Sequence, residues 1–472
     1  MNDAVERAAK RGEEFIDANL ARVFAHIAAN EDSFVRRVMD YVRHPSISAQ
    51  NIGIAEVGAI LLKMLTELGL EAQSIPTRRH PMILGRWDKK PGAPTVLLYG
   101  HYDVQPPEPL EAWLSPPFEP TIRDGRIFAR GIGDNKGQHF AQLLAIESHL
   151  KVTGTLPCNV VVLLEGEEEI GSPHIAEFVR EHKDKLKADF VVTADGPLHE
   201  SGLPTVTFGV RGVASFELRA KSAKRDMHSG NFGGVAPNAI WTLVHLLASM
   251  KNARGEITIN GLHDAIIPPT NAEREAAARL PLDLEKTKAE MEFRWLDEPQ
   301  DRPFYDRLMF HPTLTINGLH GGYGGAGSKT VLPVEAIAKC DIRLVEAMTP
   351  DDVFEKVAAH VKKHAPDVEF VAQGGMLPSK TPMDSSFAQP IREAILAAQG
   401  VEPLLYPSAG GSLPDYVFTK ILGVPAFVVP YANADEANHG PNENLKLECF
   451  VNGVRTGAAL LSRLATLKIA PR

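Results

Sequence analysis

The chain has 472 residues, 44% of them hydrophobic, and a formal net charge of −9. A chain of this length exceeds the size at which a single hydrophobic core usually divides, so we expect a large globular enzyme with two domains. Because the charge is acidic and no long basic run occurs, we expect neither nucleic acid nor an anionic membrane as a partner.

The amino-terminal residues mix acids with bases and contain no apolar core of the kind found in signal peptides. The sequence also contains no uninterrupted span of about 20 apolar residues, which a transmembrane helix requires. We therefore expect a cytoplasmic protein. Its three cysteines, Cys158, Cys340 and Cys449, are far apart and odd in number, so we expect buried apolar side chains and no disulfide framework.

Apolar residues recur at helical spacing between residues 13 and 43, which predicts two amphipathic helices before the His44-Pro45 break. A third helix is predicted over 53–70. Strands and helices then alternate to about residue 195, and after Pro382 a helix and a strand resume this order. The alternation predicts an α/β fold with a mostly parallel sheet and helices on both faces.

Residues between about 210 and 380 follow a different order. Four strands and two helices are predicted there, at 213–220, 237–250, 313–316, 337–344, 349–364 and 368–372. This β-α-β-β-α-β order is typical of a ferredoxin-like α+β unit. We therefore predict a catalytic domain formed by residues 1–209 and 381–472, into which residues 210–380 are inserted as a smaller domain.

Four predicted strands end at, or shortly before, side chains of the types that bind metals. These side chains are His101, the pair Glu168 and Glu169, Asp195 and His439. In an open sheet flanked by helices, ligands bind outside the carboxyl ends of the strands. The four strand ends therefore predict one crevice that is rich in histidine and carboxylate.

His101 and Asp103 are two residues apart, so an extended backbone would place both side chains on one face. A metal-bound histidine commonly donates its second ring N–H to a carboxylate, so one of the two could bind a metal while the other orients it. Taken alone, the motif also fits a solvated strand end.

Asp134 lies in a glycine-rich turn, 131–137, that precedes a predicted apolar helix. The glycine spacing misses the dinucleotide-binding fingerprint by one residue, and no acidic residue follows at the expected distance. A dinucleotide site is therefore disfavoured. Asp134 is either a helix cap or a carboxylate whose two oxygens bridge two metal ions.

The acidic run 165–169 directly follows five residues of buried type, although acidic runs usually lie in solvent. Neighbouring carboxylates repel one another unless a positive charge lies close to them. One of them could bind a metal while its neighbour, near the metal-bound water, accepts the proton.

Three other features are weaker. Residues 322–330 resemble a phosphate-binding loop, but Ser328 separates the glycine from Lys329. Residues 410–414 lack the glycine that a nucleophile elbow needs two places after the serine. His439 lies in a predicted turn and, taken alone, fits an exposed loop histidine equally well.

Six segments occur together in the order and spacing of a known family: 100–103, 133–137, 165–172, 194–195, 228–230 and His439. The chain resembles the cocatalytic metallopeptidases that include cytosolic nonspecific dipeptidase, carnosine dipeptidase, glutamate carboxypeptidase, acetylornithine deacetylase and succinyl-diaminopimelate desuccinylase. It is most similar to the dipeptidase branch, and the resemblance covers nearly the whole chain. The implied fold is zinc-peptidase-like, with the inserted domain serving as a lid and dimerisation domain.

The resemblance implies five metal ligands, which are His101, Asp134, Glu169, Asp195 and His439. Asp134 would bridge two divalent ions, His101 and Asp195 would complete one site, and Glu169 and His439 would complete the other. Asp103 would orient His101, and Glu168 would act as the general base. Zinc is the expected metal, although nitrogen and oxygen ligands also accept manganese or cobalt.

The resemblance also implies substrate contacts from the inserted domain. His228 would stabilise the oxyanion, reaching the active site of the other subunit in dimeric members, so we expect a homodimer formed through this domain. Thr330 and Arg343 match positions that grip the terminal carboxylate of the substrate, and Ser412 matches a loop that contacts its backbone. A guanidinium fork suits a carboxylate well, although a solvated strand residue is the alternative for Arg343.

The residue at position 195 bears on substrate class. Within the family this position tends to be Asp in peptidases that act near a free amino terminus and Glu in deacylases. Asp195 therefore favours a metal-dependent dipeptidase that hydrolyses dipeptides or short peptides. An N-acyl amino acid amidohydrolase is the alternative in the same class. A catalytically silent peptide- or metal-binding protein is disfavoured because Glu168, which binding alone would not require, is present.

Overall fold

A computed structural model of the chain describes residues 2–297 and 302–467. The helices are α1 (Asn2–Glu13), α2 (Ala18–Ala29), α3 (Glu31–Val42), α4 (Ile54–Glu67), α5 (Gly137–Thr153), α6 (Ile175–Glu181), α7 (Ser229–Phe232), α8 (Ala239–Met250), α9 (Asn271–Ala278), α10 (Leu284–Glu290), α11 (Phe304–Phe310), α12 (Pro350–His364), α13 (Ala388–Gln399) and α14 (Leu447–Leu464).

The strands are β1 (Glu71–Ile75), β2 (Met82–Trp87), β3 (Thr95–His101), β4 (Thr121–Arg123), β5 (Arg126–Phe128), β6 (Asn159–Glu165), β7 (Phe190–Thr193), β8 (Thr205–Thr207), β9 (Gly209–Val210), β10 (Gly212–Lys221), β11 (Met227–His228), β12 (Thr313–Gly321), β13 (Val331–Leu332), β14 (Glu335–Leu344), β15 (Val368–Met376), β16 (Ser379–Lys380), β17 (Leu404–Tyr406), β18 (Ala426–Val428) and β19 (Asn444–Lys446).

The chain divides into two compact units. The first contains the residues up to Gly209, Lys380–Pro407 and the residues from Val417 onward, and the second contains Val210–Ser379 and Ser408–Tyr416. The segment Ser408–Tyr416 differs from the predicted division, which placed it in the catalytic domain. It belongs to the second unit because Ala409 forms a parallel bridge with Val210 and the Gly410 carbonyl accepts a hydrogen bond from Arg211.

The first unit is built on an eight-stranded sheet of order β1-β2-β6-β3-β7-β18-β8-β17. Strands β6, β3, β7 and β18 are consecutive neighbours and run parallel, as does the pair β8 and β17. The remaining neighbours are antiparallel. The predicted α/β fold with a mostly parallel sheet is therefore confirmed. The four strands that precede the predicted metal ligands are the four adjacent parallel strands at its centre.

Burial on both faces explains the composition of these central strands. Strand β6 is buried along its whole length and β3 along nearly all of it, which favours continuous apolar sequence. Helix α5 is buried on nearly every side, and α2 and α14 pack against it. The amphipathic pattern of residues 13–43 folds as α2 and α3, which bury Val23 and Phe34 in the same core.

The second unit contains a four-stranded antiparallel sheet of order β12-β14-β10-β15. Helices α8 and α12 pack against this sheet and bury Leu243 and Val357 in its core. Helix α12 begins at Pro350, and the Thr349 side chain caps it by accepting the Asp352 N–H at 3.3 Å. The chain order β10-α8-β12-β14-α12-β15 agrees with the predicted ferredoxin-like unit.

Cys158 and Cys340 are buried and Cys449 is partly buried, and all three are free thiols. Across residues 2–297 and 302–467, no helix combines the length and the apolar character that crossing a membrane requires.

Candidate metal centre

The ends of β3 and β7 bring a histidine and an aspartate together in the first unit. His101 is the last residue of β3 and is fully buried, and Asp195 follows β7 and is also buried. The Nε2 atom of His101 lies 3.6 Å from Oδ2 of Asp195. Because β3 and β7 are parallel neighbours, their carboxyl ends lie at the same edge of the sheet.

Asp134 lies between two imidazoles. It belongs to the turn Ile132–Lys136, immediately before α5, and its own backbone is not helical. Its Oδ1 lies 3.0 Å from Nε2 of His101, and its Oδ2 lies 3.0 Å from Nε2 of His439. Burial raises the pKa of Asp134, but hydrogen bonds to the two imidazoles outweigh burial, so the pKa lies well below its usual value. A carboxylate that uses a different oxygen toward each imidazole has the arrangement needed to bridge two cations.

Glu169 and His439 form the other side of this cluster. Nε2 of His439 lies 3.3 Å from Oε2 of Glu169, and the Gln105 amide donates to the same oxygen at 2.9 Å. Burial and the nearby charge of Asp134 raise the pKa of Glu169 to about 7. Ligand atoms of His101, Asp134 and Glu169 all lie within 4.8 Å of one another.

The acidic run contains glutamates with different partners. Glu165 accepts the Tyr99 hydroxyl at 2.6 Å. Glu167 accepts the Thr77 hydroxyl and the His80 N–H, each at 2.7 Å, and its other oxygen contacts the His174 ring at 2.6 Å.

Glu168, by contrast, has the histidine and carboxylates of the centre as its charged neighbours. Burial is the largest influence on it and raises the pKa of Glu168 well above its usual value.

Asp103 connects the ends of β3 and β6. Its carboxylate accepts the backbone N–H groups of Glu168 and Glu169 at 3.2 and 3.1 Å. The Nδ1 atom of His101 lies 3.0 Å from the Asp103 carbonyl and 3.5 Å from its carboxylate. In this arrangement the shorter contact to the ring comes from the backbone oxygen, while the carboxylate holds the backbone of the acidic run.

The residues of this centre fit a pair of divalent cations. The donor atoms are imidazole nitrogens and carboxylate oxygens, a set that zinc, manganese and cobalt all accept. Negative charge is in excess: burial and the charge of Asp134 raise the pKa of Asp195 to about 6. Glu436, packed against Gly133, is buried, and neither of its carboxylate oxygens has a hydrogen-bond partner within the described part of the chain. Bound cations would offset this repulsion.

Two supporting residues were not among the predicted site residues. The Asn135 side chain accepts the His101 N–H at 3.3 Å and donates to the Ala194 carbonyl at 2.5 Å, which ties β3 to the end of β7. Glu443 accepts backbone N–H groups from the turn that carries Asp134. Asn135 lies within the matching segment 133–137, whereas the only signal for Glu443 is its position four residues after His439.

The remaining predicted residues lie in the second unit, where they form two pairs. Oγ1 of Thr330 lies 3.3 Å from Nε2 of His228, and both residues are exposed. The Arg343 guanidinium donates to Oγ of Ser412 at 2.9 Å, and its Nε lies 3.4 Å from Oδ1 of Asp341.

Arg211, which the sequence analysis did not single out, donates to the Gly410 carbonyl at 2.9 Å. The segment that carries Ser412 is therefore held by two arginines.

The first unit thus combines an α/β core with a candidate site for divalent metal ions at the carboxyl ends of its central strands. A family model described as Peptidase family M20/M25/M40 matches residues 97–463. The chain therefore belongs to this peptidase family, which confirms the resemblance drawn from its motifs.

Individual relatives match over nearly their whole length. The Beta-Ala-His dipeptidase of Rattus norvegicus is 30% identical over 95% of this chain and 96% of its own. The Cys-Gly metallodipeptidase dug1 of Schizosaccharomyces pombe is 28% identical over 95% of this chain and 99% of its own. The crystal structure of the M20 family metallo-carboxypeptidase Sso-CP2 from Sulfolobus solfataricus has a TM-score of 0.86 and 32% identity, covering 92% of this chain and 99% of that chain.

Proposed function

We propose that the protein is a dinuclear metallodipeptidase that releases the C-terminal amino acid from dipeptides or short peptides. The observation that carries the proposal is the contact of the two Asp134 oxygens with two different imidazoles, each at 3.0 Å. The dipeptidase names of two relatives that match over nearly their full length support the substrate class.

The proposed ligands divide between two sites that share Asp134. His101 and Asp195 would hold one ion, with zinc the expected metal, and Glu169 and His439 would hold the other. Divalent ions held there would supply Lewis-acid chemistry, polarising the scissile carbonyl and lowering the pKa of bound water to near 7. Gln105 donates to Glu169 and thereby fixes the orientation of that carboxylate.

Glu168 is the proposed general base. It removes a proton from the attacking water and donates a proton to the amine nitrogen as the peptide bond breaks. The environment suits this role because burial raises the pKa of Glu168, and a base is most effective when its pKa approaches the working pH. Asp103 supports Glu168 by accepting its backbone N–H.

Residues of the second unit are proposed to bind the substrate. Arg343, with Ser412 beside it, offers a guanidinium to the terminal carboxylate, and Thr330 is proposed to contact the same group. His228, next to Thr330, is proposed to stabilise the oxyanion in the active site of a second subunit. His228 and Thr330 are both exposed, which supports their proposed contact with a second subunit.

A homodimer through the second unit is part of the proposal. Strand β12 is at the edge of its sheet, and it carries Ile316 and Leu319, which are 50% and 48% exposed. Trp241 on α8 is 60% exposed. An edge strand with exposed apolar side chains supports a surface that another copy of the chain covers.

A substrate panel on the metal-loaded protein tests the proposal. We expect hydrolysis of dipeptides with a free C-terminal carboxylate and much weaker hydrolysis of N-acyl amino acids. Exhaustive chelation should abolish hydrolysis, and zinc, manganese or cobalt should restore it, with elemental analysis approaching two ions per chain. Activity that survives complete metal removal would contradict the mechanism, and a preference for N-acyl amino acids would establish the amidohydrolase instead.

A further inference from the structure

The turn that carries Asp134 is held by a carboxylate on a distant part of the chain. Oε1 of Glu443 accepts the backbone N–H groups of Gly133 and Asp134 at 2.9 and 3.0 Å. Oε2 of Glu443 accepts the N–H of Gly131 at 2.8 Å. Three amides of one short turn therefore converge on a single carboxylate, an arrangement in which successive backbone N–H groups bind an anion.

Glu443 is itself fixed from two sides. It is fully buried, and its Oε2 also accepts a guanidinium N–H of Arg130 at 2.8 Å. Its backbone carbonyl accepts the Ala129 N–H at 3.1 Å, and the next residue begins β19, which pairs with β5. With both oxygens occupied by donors, Glu443 is not available as a metal ligand.

Arg130 extends the connection to a second ligand. It is 1% exposed, and its second terminal nitrogen donates to the His439 carbonyl at 3.3 Å. The pair Arg130 and Glu443 thus joins the turn of Asp134 to the loop of His439. Asp134 and His439 are themselves in contact, with Oδ2 of Asp134 3.0 Å from Nε2 of His439.

We infer that Glu443 is a positioning residue that aims the Asp134 carboxylate at both proposed metal sites. This inference rests on the proposed function, because it takes Asp134 to be the shared ligand. A bridging ligand needs both of its oxygens correctly placed. A small rotation of the turn would therefore weaken the binding of both ions together. Mutation of a residue that hydrogen-bonds to a metal ligand typically lowers metal affinity by about 10–100-fold.

Metal titration of the full-length protein by calorimetry, after metal removal and without peptide, tests the inference. Glu443→Gln keeps the size of the side chain but turns an NH2 group toward backbone or guanidinium donors. We expect zinc affinity to fall at least about 10-fold at both sites. Glu443→Asp keeps the charge at a shorter reach and should bind zinc better than Glu443→Gln. At saturating zinc, the KM for a dipeptide should stay unchanged while kcat falls.

Glu393→Gln is the matched control. Glu393 accepts two N–H groups of Arg463 at 2.9 and 2.6 Å in the same unit, and neither residue is among the proposed ligands. The substitution Glu393→Gln should lower the free energy of unfolding without changing zinc affinity. Wild-type zinc affinity in Glu443→Gln, or an equal loss in Glu393→Gln, would overturn the inference.

If Glu443→Gln does not fold, zinc titration of Glu443→Asp decides, and wild-type affinity there overturns the inference. Zinc binding is measured without substrate, so the two proposals can fail separately. Wild-type protein that binds zinc but hydrolyses no dipeptide would refute the proposed function, while the comparison of zinc affinities would still decide the role of Glu443.

Discussion

The glutamates of the run 165–169 are alike in the sequence and different in the folded protein. Glu165 and Glu167 face protein donors, which occupy three of their four oxygens. Glu169 contacts His439 and Gln105, and Glu168 faces the charged groups of the centre. The direction in which each side chain leaves the end of β6 therefore separates the two supporting glutamates from the proposed ligand and the proposed general base.

Substitution by glutamine distinguishes Glu168 from Glu169. Glu168→Gln preserves shape and hydrogen bonding but removes the proton acceptor, so turnover should fall by roughly 10²–10⁴ while both metals stay bound. Glu169→Gln should instead weaken the binding of one metal ion. Steady-state kinetics and elemental analysis of both variants check this. Loss of metal in Glu168→Gln but not in Glu169→Gln would shift our assignment by one residue.

Glu167 provides a contrasting prediction on stability. Glu167→Gln places an NH2 group against the Thr77 and His80 donors or against the His174 ring. Leaving a buried donor unsatisfied costs about 1–3 kcal/mol, so the free energy of unfolding should fall by about that amount. Urea unfolding with parallel metal analysis measures both properties. A variant of wild-type stability that has lost metal would show that Glu167, and not its neighbours, belongs to the centre.

At the scale of elements, the centre depends on close packing between the turn Ile132–Lys136 and its neighbours. Gly137 is the first residue of α5, and a Cβ atom there would collide with the Ile132 carbonyl and the Leu445 side chain. A Cβ atom at Gly100 in β3 would lie 2.7 Å from Cβ of His139 and 2.8 Å from Oδ1 of Asn135. Glycine is needed at these positions because backbone and helix approach each other without room for a side chain.

Gly137→Ala tests this packing. The added methyl group meets backbone, which cannot rotate away, so we expect a loss of about 1–3 kcal/mol in unfolding free energy and weaker metal binding. Gly324→Ala is the matched control, because a Cβ atom there meets nothing within 4 Å. That variant should stay within about 0.5 kcal/mol of wild type. Equal stability of the two variants in urea unfolding would contradict the packing argument.

At the scale of the whole molecule, the proposed site residues are distributed over two units. The proposed metal ligands and Glu168 lie in the first unit, and His228, Thr330, Arg343 and Ser412 lie in the second. Edge strand β12 and the exposed Trp241 belong to the second unit. The proposed dimer would form through this unit, which also carries His228.

Mixing two inactive variants tests the contribution of His228 from the partner subunit. His228→Ala should lower turnover strongly with metal content unchanged, since one lost oxyanion donor typically costs about 2.7–4 kcal/mol. A heterodimer of Glu168→Gln and His228→Ala chains would contain one site with both residues intact, and that site should work. Sequential affinity purification through two different tags, one on each variant chain, isolates the heterodimer and establishes that it forms. A confirmed heterodimer without recovered activity would mean that His228 acts within its own chain or has no role in the reaction.

Much of the architecture is determined by the sequence itself. The central strands are largely apolar because both of their faces are buried, so they stand out as runs that end at His101 or shortly before the acidic pair and Asp195. The alternation of elements predicted the mostly parallel sheet, and the joint motifs predicted the peptidase family, and both are confirmed.

Only the tertiary structure decides which of the predicted site residues and their supporting residues come into contact. Asp134 and His439 are about 300 residues apart, as are Arg130 and Glu443, and no local pattern pairs them. The division of the acidic run, the support from Asn135 and the grouping of Ser408–Tyr416 with the second unit likewise depend on contacts between distant segments. Hydrogen bonds of this kind cannot be read from the sequence, because their geometry is set by the packing that brings the strand ends together and not by the periodicity of any one element.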